Sequence, residues 1–230
     1  MMYTQYPHVD SATFSMYRVY GWMSAALAIT ASIAYYIGQS AALFKSIFSN
    51  PTYVGAIIFL QLGLVLAISF LLNRMSFMTA AILFTVYACS VGVTMSAIFF
   101  MYQETSIYIT FFVTAAMFCA MALYGYFTQA DLTSIGSVGF MILIGMILTG
   151  LINLYFQSAS VSYLLSAVGV VLFSLLAAYD AQRIKLLARQ FVYDHETANK
   201  IALFGALSLY LDFINLFLSL LRFMGARRND

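Results

Sequence analysis

Two carboxylates stand where carboxylates are rare. Asp180 closes the apolar run Leu175-Leu-Ala-Ala-Tyr179. Asp212 lies inside Gly205-Ala-Leu-Ser-Leu-Tyr-Leu-Asp-Phe-Ile-Asn-Leu-Phe-Leu-Ser-Leu-Leu-Arg222. A charge at mid-bilayer depth costs roughly 2.5–3.5 kcal/mol on insertion scales, so such groups face a bundle interior or a water-filled cavity and mark functional sites. The connection between the two acids turns the chain back, which makes their helices neighbours and puts both acids at similar depth. Adjacent carboxylates in a low dielectric cannot both ionise easily, and they titrate as a coupled pair. Charged, the pair is a weak calcium site. Acidified, it shares a proton and closes up. That chemistry is a pH-dependent cation gate. The plainer reading is a pair of polar groups that fix helix packing.

Helical spacing decides what shares a face with Asp212. Gly205, Ser208, Asp212, Asn215 and Ser219 recur at steps of three and four, so they form one small-polar stripe. Leu209, Phe213, Leu216 and Leu220 form a neighbouring apolar row. The stripe predicts a central helix with the other spans packed around its polar face. Asn215 and Ser208 are placed to support Asp212 with hydrogen bonds. Tyr179, Tyr210 and Gln182 can do the same, although in a chain with 17 tyrosines the type says little. Arg74 ends span two on the same predicted side. It can ion-pair with Asp180 or Asp212 and latch a pore shut, or serve as an ordinary positive anchor.

Composition supplies the elements that must hold these groups. Of 230 residues, 63% are hydrophobic and 8% charged, which excludes an ordinary soluble domain and predicts a polytopic α-helical membrane protein. The net charge of +2 is small and scattered, which argues against nucleic acid as a partner. Cys89 and Cys119 sit in apolar runs, so they read as small core residues, not as a disulfide or metal site. The first ten residues lack the basic region of a signal peptide, and the first apolar run reads as a retained span.

In order, residues 1–16 form a polar tail, 17–224 a single transmembrane domain and 225–230 a second tail. Spans are expected at 17–38, 53–72, 77–102, 107–127, 135–156, 161–179 and 201–224. Each is near the ~20 residues that cross hydrocarbon. Residues 180–200 are the one long charged connection. Span six should stay helical through Leu187, and Asp194 with Glu196 should start the last helix. With the amino terminus in the cytoplasm, that side receives Arg18, Arg74, Arg183, Lys185, Arg189 and Lys200, and the far side Lys45. Arg222, Arg227 and Arg228 join the far side if the last helix crosses and the near side if it re-enters. The charge rule favours re-entry; the helix length favours crossing.

Three pieces carry a family resemblance: Leu209-Tyr-Leu-Asp-Phe-Ile-Asn-Leu-Phe-Leu218, Tyr179-Asp180, and Arg18-Val-Tyr-Gly-Trp-Met23. With them the chain resembles the Bax inhibitor family, the transmembrane Bax-inhibitor-motif proteins, from Arg18 to Arg222. The resemblance implies a seven-helix bundle with the last helix at its centre and a pH-sensitive calcium leak. It matches the family's paired aspartates to Asp180 and Asp212, and its latch arginine to Arg74. The stretch from Arg189 to Asn199 is longer than in the most compact members. The short tail and compact chain resemble a bacterial member, which implies an inner-membrane location.

The expected activity is therefore a calcium leak with calcium as transported ion, no cofactor and no enzymatic step. The rival is a non-conducting regulator of a membrane protease or a stress response, working through the amino-terminal tail and the Arg189 loop. An intramembrane aspartyl protease is disfavoured, because Leu209-Tyr-Leu-Asp212 lacks the glycines that open backbone space for a substrate. No nucleophile–base spacing is recognisable either.

Overall fold

Backbone in hydrocarbon must satisfy its own hydrogen bonds, so each long apolar run becomes a helix. The computed structural model describes residues 11–190 and 195–228. Its helices are α1 (Ser11–Gly38), α2 (Ala41–Phe48), α3 (Pro51–Leu71), α4 (Phe77–Met95), α5 (Ile98–Met101), α6 (Glu104–Phe127), α7 (Thr133–Phe156), α8 (Ala159–Gln190) and α9 (His195–Met224). Among the described residues, seven stretches are long and apolar enough to cross a membrane: α1, α3, α4 with α5, α6, α7, α8 and α9. The protein is a multi-pass, all-α integral membrane protein.

The starts of several helices are written locally. Asn50 accepts from the Thr52 amide at 3.0 Å and Pro51 opens α3; Ser76 accepts from the Thr79 amide at 3.2 Å to open α4. The turn between α7 and α8 is stitched by Asn153, whose Nδ2 donates to Ser162 Oγ at 2.8 Å and whose Oδ1 accepts from the Ser158 amide at 3.0 Å.

Three details differ from the sequence reading. α1 begins at Ser11, so residues 11–16 continue the first helix instead of forming a polar tail. Residues 1–10 lie outside the described residues, as does the expected cap Asp194. Cys119 is exposed on the outward face of α6, while Cys89 is half-buried. α8 runs on to Gln190, past the Leu187 expected.

α9 packs against α1, α4, α6 and α8. In its most apolar window 61% of residues are buried, against 11% for α3 and for α7. α7 packs chiefly on α8, and the outer faces of α3 and α7 carry exposed Leu, Ile and Phe side chains suited to lipid. Close approach is built from glycine. A methyl group on Gly125 of α6 would lie 2.0 Å from the Ala178 carbonyl oxygen of α8, and one on Gly169 of α8 would lie 2.5 Å from Ser219 Oγ of α9.

α9 traverses the whole bundle. Near its start, Arg18 of α1 donates to Asn199 Oδ1. Past its end, residues 225–228 pair with the turn between α5 and α6. There the Gln103 amide donates to the Ala226 carbonyl at 3.0 Å, and the Arg228 amide to the Met101 carbonyl at 3.1 Å. That turn belongs to the other end of α1, where Phe99 packs on Gly38. Full crossing therefore wins over re-entry, against the charge count. The basic tail is held in place: Arg228 Nη1 donates to the Phe99 carbonyl at 3.1 Å, and Arg222 sits in the last turn of α9, where cations complement the helix dipole.

Candidate functional site

The small-polar stripe of α9 faces α8. Gly205 meets Ile184, and Ser219 meets Gly169. Between these two points Asp212 lies beside Asp180, close enough for the two carboxyl groups to interact. Asp212 is 6% exposed, and its Oδ2 has no hydrogen-bond partner among the described residues. Asp180 is half-buried, nearer the end of the bundle that holds Arg18 and Arg74. A buried carboxylate oxygen with no donor is costly. A proton or a cation between the two carboxyls would remove that cost.

The charges around the pair come from several elements. Arg183, one turn beyond Asp180 on α8, attracts its carboxylate, and its guanidinium lies 5.6 Å from the centre of the Phe204 ring of α9. Lys185 donates to the Tyr126 carbonyl of α6, with its ammonium 4.8 Å from that residue's ring centre. Lys200 pairs with Glu196 at 2.9 Å. Arg74 occupies a 3-10 turn, Leu72–Arg74, that packs on α9. It is exposed and forms no salt bridge with Asp180 or Asp212 among the described residues. Arg74 is thus at the expected end and makes no ion pair with either acid among the described residues.

None of the expected supporting groups makes a hydrogen bond to either acid among the described residues. Asn215 Nδ2 donates to the Leu211 carbonyl of its own helix at 2.8 Å. The Tyr179 ring packs over Gly136 of α7, away from the acids. Ser208 is half-buried and makes no side-chain hydrogen bond among the described residues. Gln182 clamps the turn between α6 and α7, accepting from the Leu132 amide at 3.0 Å and donating to the Ala130 carbonyl at 2.7 Å. Tyr210 and Thr30 share a hydrogen bond of 2.7 Å, and Thr30 donates to the Ala88 carbonyl at 2.9 Å. Thr30 was missed from sequence, because one threonine in an apolar run has no spacing signal.

No group of three or more His, Cys, Asp or Glu residues converges among the described residues. Calcium takes six to eight oxygens. Two carboxyl groups offer four oxygens, fewer than that number.

The model of the family described as inhibitor of apoptosis-promoting Bax1 matches residues 14–229. The chain is similar to an uncharacterised protein of Borreliella burgdorferi, 46% identical over 213 residues that cover 93% of this chain and 92% of the relative. It is similar to the inner membrane protein YbhL of Escherichia coli, 43% identical over 215 residues covering 93% of this chain and 92% of that one. A membrane protein of Streptococcus pyogenes is 40% identical over 148 residues, 64% of this chain and 63% of its own length. With nearly its whole length matched, the chain belongs to the Bax inhibitor family.

Proposed function

We propose that the protein is a pH-sensitive leak for calcium, without enzymatic activity, in a bacterial inner membrane, and that α9 is its central helix. The location rests on similarity to YbhL, whose name calls it an inner membrane protein. One observation carries the reading: Asp212 is buried against Asp180 with an unpartnered carboxylate oxygen. In the charged state the pair attracts a cation from the half-buried Asp180 inward. Acidification places a proton between the carboxyls and removes the attraction. Arg74, on the turn beside α9, is the cation placed to compete for the same acids.

The test is calcium flux into liposomes holding the purified full chain, across a pH series, for wild type, Asp180→Asn and Asp212→Asn. Wild-type flux is expected to fall on acidification, and each variant to lose that dependence. Absence of flux above empty liposomes, with folded and inserted protein, would overturn the leak. It would leave a non-conducting regulator, for instance of a membrane protease or a stress response, as the reading to pursue.

A further inference from the structure

In the half of the bundle away from Arg74, an apolar groove of about 370 Å³ runs between α1 and α6, over α9 and the α4–α5 end. Its floor, with Phe99, Phe213 and Phe217, is buried; its rim, with Tyr35, Tyr108 and Phe112, is exposed, so the groove opens sideways to lipid. On α1 the lining runs from Leu27 to Tyr35. At 1.5 Å per residue that is ~12 Å, close to the ~15 Å that one leaflet contributes to the hydrocarbon core. The basic tail lies against the end of this groove. The Ala226 amide donates to Ser106 Oγ at 3.1 Å, beside the lining residue Ile107, and Arg228 Nη1 donates to the carbonyl of Phe99 at 3.1 Å. Arg228 is exposed, and its guanidinium has further N–H donors. At this end the described residues carry four cations, Lys45, Arg222, Arg227 and Arg228, against one acid, Glu104. A second apolar groove, about 580 Å³ between α7 and α8, has the acid Asp131 just ahead of its first lining residue, Ser134.

We propose that the α1–α6 groove seats one anionic phospholipid, with an acyl chain along the groove and the phosphate at the Arg228 guanidinium. Three features select this occupant. The groove lies within spanning helices and opens sideways, so hydrocarbon is what reaches it. Its length suits the chain of a single leaflet. Its cation stands at the end where that leaflet's headgroups lie, and an arginine there gives a phosphate charge-assisted hydrogen bonds. Tyr35 and Tyr108 fit the same placement, since tyrosine favours the membrane–water interface. The site is separate from the acid pair and holds whether or not the protein conducts.

The experiment is native mass spectrometry of the full chain in detergent, titrated with dioleoyl phosphatidylglycerol or dioleoyl phosphatidylcholine. Wild type is expected to bind one phosphatidylglycerol about fivefold more tightly than phosphatidylcholine, the discrimination that one arginine at a membrane surface supplies. Arg228→Gln should lose that preference and Arg228→Lys should keep most of it. Ala31→Trp fills the groove from an exposed position and should remove the site for both lipids. Val171→Trp, exposed in the α7–α8 groove, should leave both unchanged. Equal wild-type affinities for the two lipids, or an undiminished preference in Arg228→Gln, would overturn the headgroup contact. Equal loss in Arg228→Gln and Arg228→Lys would also overturn it, making Arg228 a tie for the tail. Unchanged binding by Ala31→Trp would overturn the groove as the seat of the chain. A wild-type dimer that Ala31→Trp converts to monomer would overturn the lipid in favour of a second copy of the protein.

Discussion

The phenol of Tyr210 donates to the hydroxyl of Thr30 across 2.7 Å, and Thr30 spends its own proton on the Ala88 carbonyl. One chain of hydrogen bonds thereby joins α9, α1 and α4 in the interior. Phe84 and Tyr87 pack edge-on against the same phenol ring, at 5.8 and 5.9 Å. Tyr210→Phe keeps the ring and removes the bond. It is expected to destabilise the folded protein by about 0.5–1.5 kcal/mol, the range for such bonds within membrane bundles. Thermal melts in detergent check this. Thr30→Val, which also strands the phenol, should cost at least as much. Equal melting of Tyr210→Phe and wild type would show that the bond adds nothing net.

Gly125 and Gly145 make a matched pair of tests. An added methyl at Gly125 meets backbone of α8 at 2.0 Å, while at Gly145 it meets nothing within 4 Å. Gly125→Ala must push α6 from α8, with an expected loss of about 1–3 kcal/mol. Gly145→Ala should be neutral or stabilise by up to about 1 kcal/mol through helix propensity. The difference between the two melting temperatures is the readout; a Gly125→Ala protein as stable as Gly145→Ala would contradict the close helix contact.

Seven crossings by the seven candidate spans are expected to put the start of α1 and the end of α9 on opposite sides of the membrane. Reporter fusions check this: a fluorescent protein that matures only in the cytoplasm and a phosphatase active only outside it. A given reporter should be active at one terminus and silent at the other. Activity of the same reporter at both termini would restore the re-entrant last helix.

Much of this was legible in the sequence, because water-free surroundings leave few choices. The spans follow from apolar runs of fixed length, and Asp180 and Asp212 stand out because acids are scarce there. Side-chain partners were not legible. Asn215 has the spacing to reach Asp212 yet satisfies its amide on its own helix at Leu211. Tyr179 is adjacent to Asp180, but its rotation about α8 aims it at Gly136. Gln182 serves a turn some fifty residues away in sequence, which no local pattern encodes. The charge count favoured re-entry, but α9 is one continuous helix, and the pairing of residues 225–228 with the turn between α5 and α6 puts the basic tail at the far end of the bundle.

The clamp at Gln182 has a mechanical side. It fastens the α6–α7 turn to α8, and the contacts of Gly125 with Ala178 and Gly136 with Tyr179 lock the same three helices together. Asp180 is mounted on that block. Asp212 is mounted on the other, the trio riveted by Tyr210, Thr30 and Ala88. The acid pair therefore lies on the closely packed face between α8 and α9, where those two sets of contacts meet. If the pair takes a proton or an ion, as proposed above, the change falls on the contact that holds α8 to α9, not on a side chain free to swing.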